Sequence, residues 1–410
     1  MSDRKRFFKK IAKEGYTILC PDMLPIHFQL LTKVIKYTHN LNLKVITPQG
    51  REAKDEGLKS IHNDACYPAL IVLGQCIAEL KSGNYDLNKT AIIMSQTGGG
   101  CRASNYISLF RKAFKKLYPT VPVLSLNFSG LEKDRSLPIT IKFIRYAVTA
   151  IQYGDMIMSL FNQTEPYETY PGQAYEIQQE VLGHLEKMIG HRSFKKLDEN
   201  LKYILNAFSV IKIPEKRKPQ VAVVGEIYVK YSPYANNELS KFLVKQGCEV
   251  VYPSLSEFVL YCAFNMMQDY KLYGMNAFTA KATKIVYKYY LKKTRAMNKM
   301  LDGTQFFPYE DFEYVVNQGE RIINLGVKMG EGWLIPAEML AYSEHNIKNI
   351  VCAQPFGCLP NHIVGKGMIR PLKQLSPDIN VVPLDFDASS TQVNQENRLK
   401  LMLANIKKEV

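Results

Sequence analysis

The chain has 410 residues, of which 46% are hydrophobic and 22% charged, and its net charge is +15. That apolar content suffices for at least two ordinary cores and argues against wholesale disorder, while no apolar stretch is long and uncharged enough to span a bilayer. The excess of base suggests an acidic ligand or partner, such as a phosphate-rich cofactor or the acidic face of a protein. Nucleic acid is not expected: lysines such as Lys281, Lys284, Lys288, Lys292 and Lys293 read as a solvated helix face, and there is no arginine-rich arm, recognition helix or zinc finger.

The basic start Met1–Lys10 is not followed by the apolar core and cleavage site of a secretory signal, so a cytoplasmic location is expected. Tyr16–Cys20 reads as a strand, Ile26–Asn40 as a helix and Leu43–Thr47 as a second strand. A helix starts near Pro68, a residue suited to a first turn, and runs to about Lys81. Strand Thr90–Ser95 breaks into Gly98-Gly99-Gly100, helix Arg102–Leu117 follows, and Val121–Asn127 is another strand. Leu137–Ile211 is long and helical, and Pro214–Pro219 reads as a linker. Strand Gln220–Glu226, helix Asn237–Lys245 and strand Glu249–Tyr252 open a second unit, and a helical insertion covers about 255–343. Strands Asn349–Ala353 and Asn380–Leu384 and helix Gln392–Lys408 complete it. The alternation predicts an α/β protein of two parallel-sheet, Rossmann- or flavodoxin-like domains with helical insertions and a cleft between them. The expected boundaries are 1–136, a helical connecting segment at 137–213, and 214–410.

Eight cysteines in a chain of this length are too few for a disulfide scaffold, which leaves metal binding or burial. Three of them, Cys66, Cys101 and Cys358, each sit where a strand hands over to a helix, in loops rich in glycine, proline or small polar residues. In open parallel sheets such loops hold the ligands, and a helix N-terminus offers N–H donors that favour thiolate. The competing reading is three unrelated buried thiols. Structural zinc is disfavoured, because no cysteine pair has its tight spacing. Cys352, within a strand, is a candidate fourth ligand or a core residue, and Cys20 is equally ambiguous; Cys76, Cys248 and Cys262 are expected to pack. Gly99 and Gly100 with Arg102 are candidate cofactor-binding residues, although the loop lacks the ending of a nucleotide P-loop. Glu226, at the end of a strand, and His362 are candidate acid/base groups; His27, His62 and His362 also read as structural hydrogen-bonding residues. Glu331, in a glycine-flanked loop, faces the cleft or only turns the chain.

The strings His62–Ala69, Gln96–Tyr106 and Gln354–His362 resemble the 2-hydroxyacyl-CoA dehydratase superfamily (2-hydroxyglutaryl-CoA dehydratase and benzoyl-CoA reductase-like), and within it the dehydratase-like segment of acyl-CoA dehydratase activase-related proteins. Val224–Tyr228 and Leu384–Arg398 extend the likeness over nearly the whole chain. The resemblance implies paired α/β domains, a [4Fe–4S] cluster on Cys66, Cys101 and Cys358, a homo- or heterodimer, and an ATP-dependent activator of the actin-like ATPase fold that supplies a low-potential electron. In the dehydratases of this superfamily that electron reduces a CoA thioester to a ketyl radical, which expels the 2-hydroxyl group. No ATPase motif is recognisable in this chain, so the activator is a separate protein, and the acyl group does not carry over. Related double-cubane proteins reduce small molecules with more cysteine ligands, an option that Cys352 and Cys20 keep open. The expected function is the iron–sulfur component of such a dehydratase or a related low-potential reductase. The alternatives are a non-catalytic electron relay or scaffold that docks the activator, and a metal-free phosphate binder.

Overall fold

The computed structural model describes residues 3–47, 50–62, 65–96, 100–127, 137–274 and 276–406. The first unit runs α1 (Asp3–Glu14), β1 (Thr17–Pro21), α2 (Pro25–His39), β2 (Asn42–Ile46), α3 (Glu52–Ser60), α4 (Tyr67–Lys81), β3 (Thr90–Gln96), α5 (Tyr106–Leu117) and β4 (Val123–Asn127). Helices α6 (Ile141–Thr164), α7 (Gln173–Met188) and α8 (Leu197–Phe208) lead to β5 (Gln220–Gly225), α9 (Ile227–Tyr231), α10 (Leu239–Lys245) and β6 (Glu249–Val251). The insertion is α11 (Leu255–Tyr273), α12 (Ala277–Lys299), α13 (Phe312–Ile322) and α14 (Leu334–Glu344). It is followed by β7 (Asn349–Pro355), α15 (Ile369–Leu375), β8 (Asn380–Phe386) and α16 (Gln392–Ile406).

The strands form two four-stranded parallel sheets, ordered β2-β1-β3-β4 and β6-β5-β7-β8. The expected α/β architecture with parallel sheets is therefore present. Each sheet is wound outward in both directions from its two central strands, so each has a crevice where neighbouring connections diverge, at the carboxyl ends of β1/β3 and of β5/β7. The central strands are apolar on both faces, as a sheet covered by helices requires.

One core continues from the first unit into the second: Leu19, Leu70 and Ile92 belong to the same cluster as Val221, Val351 and Leu384. Tyr67 Oη donates to the Ala235 carbonyl at 3.1 Å, and Gln75 Nε2 donates to Tyr228 Oη at 3.0 Å, so α4 is pinned to the segment after β5. Helices α3 and α4 cross with their backbones nearly touching. A Cβ on Gly74 would overlap the Ala53 carbonyl, and one on Gly57 would overlap that of Leu70. Between the units, Asp155 of α6 takes N–H bonds from Leu255 (2.8 Å) and Ser256 (3.0 Å) at the start of α11 and pairs with His27 Nε2 at 2.9 Å. His27 is thus a buried structural residue. The insertion packs around Trp333, Tyr261, Phe264 and Phe312.

Candidate functional site

Strand β5 ends on Gly225 at φ +122°, where any side chain would collide with the Ala353 carbonyl of β7. The glycine lets the two strands stay close to their ends and delivers Glu226 to the crevice between them. Glu226 caps α9, its Oε2 accepting from Val229 N at 2.7 Å. Glu331 arrives from the insertion and takes the neighbouring donor, Ile227 N, at 3.0 Å. Two acids thus share one short helix N-terminus. Burial, with the facing Glu331 carboxylate second, pushes Glu226 up to about 8, and burial also raises Glu331.

The cysteine loops close on this pair. After β7, Gly357 turns the chain at φ +75° and Cys358 follows, one turn before a π-helical stretch at Asn361–Gly365. Asn361 Nδ2 donates to the Cys358 sulfur at 3.0 Å and lies 3.5 Å from Glu331 Oε2. Gly330 is the meeting point of two loops: a Cβ there would lie 3.4 Å from Pro360 and 3.9 Å from the Cys101 Cβ, while Gly100 rests on Met329. Cys66 comes from the N-cap of α4, and its sulfur lies 2.6 Å from the Tyr106 hydroxyl.

All three thiols are raised above the ordinary range. Burial is the main cause for each, and the Glu226 charge adds to all of them; the Glu331 charge adds to Cys101 and Cys358. Helix-start N–H groups act in the opposite direction: Ala69 at Cys66, Ala103 at Cys101 and Asn361 at Cys358. Neither the Cys66 nor the Cys101 sulfur closes a capping bond, and the Ala69 N–H donates to the Cys66 carbonyl at 3.1 Å. The Arg102 charge also favours the Cys66 thiolate.

The structure therefore brings Cys66, Cys101, Cys358, Glu226 and Arg102 to one interdomain place, with Gly100 at its edge; Gly99 lies outside the described residues. His362 stands on the rim, one-third exposed, with Nε2 4.0 Å from Asp385 Oδ1. Cys352 is fully buried and alternates with the other side of β7. It packs with Ile350, Ile335 and Met339, whereas Val351 and Ala353 face the opposite layer. Cys262 corrects the expectation of packing: it is exposed on α11, where the buried face is carried by Leu260, Tyr261 and Asn265. Glu331 is a functional candidate that the sequence left between cleft and turn, and the structure buries it at the cleft.

Among the described residues, no three His, Cys, Asp or Glu side chains are grouped tightly enough to hold one metal ion. A single zinc at about 2.3 Å from each sulfur would demand such a group. A cubane, in which each thiolate binds a different iron, spaces its ligands more widely. In chemistry the donor set suits a cluster: three soft sulfurs from both units, two of them in hydrogen-bond contact with the Tyr106 hydroxyl and the Asn361 amide. No protein-family model matches the chain, and no curated protein matches it.

Proposed function

We propose that Cys66, Cys101 and Cys358 hold a [4Fe–4S] cluster. On this reading the protein is the iron–sulfur component of a 2-hydroxyacyl-CoA dehydratase-type or related low-potential reductase system, loaded by a separate ATP-dependent activator. The observation that carries the reading is the placement of three helix-start thiols, from both sheets, around half-buried Glu226 and buried Glu331. When bound, such a cluster supplies low-potential electrons and an iron free to act as a Lewis acid toward a carbonyl oxygen. The chain's own residues have separate work. Tyr106 and Asn361 donate to the sulfurs, Arg102 offsets negative charge, and Glu226, a carboxyl raised by burial and by the facing Glu331, is the group placed to hand a proton to a substrate anion. A CoA thioester suits the basic surface.

Anaerobic reconstitution with iron and sulfide tests this. A brown protein with about four irons and a paramagnetic signal on reduction is expected, lost in Cys101→Ser and Cys358→Ser. A folded protein that takes up no iron rejects the reading.

A second reading, an electron relay that docks the activator, is favoured by the exposed Phe356, Leu359 and Ile363 around Cys358. Activator, ATP and reductant with a panel of 2-hydroxyacyl-CoA thioesters separate the two: turnover supports the enzyme, and cluster reduction without product supports the relay. A double cubane would need sulfur from residues such as Cys352, which the apolar layer encloses.

A further inference from the structure

Helix α12 is apolar on two sides. Its inner face packs on α11 and α6 through Ala280, Tyr287, Tyr290, Leu291 and Met297, with Tyr287 against Phe264 and Phe312. A helix on the outside of a protein should turn polar residues to water on the opposite side. Instead Phe278, Ala282, Ile285 and Tyr289 are all exposed, and their spacings of four, three and four place them in one outward row. Val286 stands beside that row. Phe278 is 80% exposed, Ile285 72%, and Val286 and Tyr289 60% each. Single exposed apolar residues are ordinary, but a row of them along one helix marks a surface that something else covers.

The charges of α12 indicate what that is. Over its 23 residues, about 34 Å of helix, it carries six lysines, one arginine and no acid. Arg295 is taken up by Asp311 and Glu313. Lys281, Lys284, Lys288 and Lys292 are exposed and form a second row, at spacings of three, four and four, directly beside the apolar one. None of the four has an ion-pair partner among the described residues. A second copy of this face would bring two acid-free, lysine-rich surfaces together, which repel. A protein partner is a poor match as well. Lysine is depleted from protein interfaces, because a long stem with a compact, strongly hydrated charge is costly to fix in one geometry. A bilayer with anionic headgroups requires no fixed geometry. Lysine stems lie along the apolar boundary with their ammonium groups among the headgroups, while phenylalanine, isoleucine and tyrosine enter the acyl edge.

We propose that the outward face of α12 docks on an anionic membrane surface, the lysine row on the headgroups and the apolar row at the boundary of the acyl chains. Among the described residues no helix is long and apolar enough to cross a membrane, so the attachment is peripheral and reversible. The sequence alone reads these lysines as a solvated face; the exposed apolar row beside them is what the structure adds. The docking does not depend on the proposed cluster, and the iron-free chain of 410 residues serves for its test.

Sedimentation with vesicles provides that test, using phosphatidylcholine alone and an equimolar mixture of phosphatidylcholine with phosphatidylglycerol. The expected result is binding to the mixed vesicles, weakened by salt, and none to the neutral ones. Lys281→Gln with Lys288→Gln and Lys292→Gln should weaken binding to the mixed vesicles by about a hundredfold. Phe278→Gln with Ile285→Gln should weaken it by about tenfold or more. All five positions are exposed, so the circular dichroism of both variants should match the parent. Absence of binding to the mixed vesicles, or equal binding to both kinds, overturns the proposal. So does binding unchanged by Phe278→Gln with Ile285→Gln, since charge alone would then carry it and the acidic face of a protein would serve as well. A parent that sediments as a dimer without vesicles, and that the same two substitutions turn into a monomer, would give the face to a second copy and overturn it too.

Discussion

Asp22 shows how one buried side chain sets a pH dependence. It follows β1, is nearly inaccessible, and leaves Oδ1 without a hydrogen-bond partner, with Met23 N–H as its compensation. Burial pushes its pKa up to about 6 from an ordinary 3.8. The folded state thus binds the proton more tightly than the unfolded state, so the cost is absent below about pH 4, grows through pH 4 to 6, and is fully present at neutral pH. Asn has no proton to lose. The stability of Asp22→Asn relative to the parent should therefore rise by about 2 kcal/mol between pH 4 and pH 7. Urea unfolding at a series of pH values measures this, and a constant difference contradicts the assignment. Tyr106 sets a second expectation, for the proposed cluster. Its hydroxyl is 2.6 Å from the Cys66 sulfur, and donors to ligand sulfur favour the reduced form. Tyr106→Phe should keep its iron and lower the midpoint potential by the equivalent of roughly 1 kcal/mol. Redox titration checks both halves, and an unchanged potential removes Tyr106 from the ligand environment.

Elements differ in how plainly the sequence announces them, and the reason is burial. The eight strands lie within one or two residues of the apolar runs that predict them, because a sheet covered on both faces needs such runs. Helices α1, α3, α9 and α15 were not legible. In α3 the segment Glu52–Ser60 is mostly polar, and its contact with α4 depends on small residues rather than an apolar stripe. Helix α9 has five residues, too few for a period to show. The loop addresses of Cys66, Cys101, Cys358 and Glu226 were legible as strand ends, whereas the burial of Glu257, Glu338 and Lys230 was not. Each stands alone in sequence and reads as a solvent-facing position. The signal was present at Glu338 and Lys230, since a single charge inside Leu334–Leu340 or Ile227–Tyr231 has no polar face to join. The α3–α4 crossing carries its own prediction. A methyl at residue 74 forces apart two backbones, and α4 presents Cys66 and Tyr67 at its start. Gly74→Ala should cost about 3 kcal/mol or more, against the slight gain of a helical Gly→Ala elsewhere. It should also weaken the proposed iron retention. A stability unchanged within error, read from thermal or urea unfolding, contradicts the close approach.

The whole molecule raises the question of whether two sheets mean two folding units. A chain of this length usually breaks into domains that unfold separately, joined through modest and rather polar interfaces. Here the apolar residues beneath β1 and β3 and those beneath β5 and β7 belong to one cluster, to which α4 contributes. Asp155 ties α2, α6 and α11 together with buried hydrogen bonds that neither unit could replace after separation. Detaching one unit would expose this shared apolar surface and leave those polar groups without partners, so partial unfolding gains little entropy for a large loss of burial. The sole tryptophan provides a local probe, because Trp333 is fully buried in the insertion of the second unit, with Nε1 3.1 Å from Asn265 Oδ1. Far-ultraviolet circular dichroism reports helices throughout the chain. In urea the two signals should follow one transition with one midpoint, the tryptophan emission moving from short to long wavelength as the helical signal falls. A midpoint for Trp333 clearly apart from that of the circular dichroism would mean that the second unit opens alone. The cleft holding the three thiols would then be a hinged seam rather than a fixed pocket.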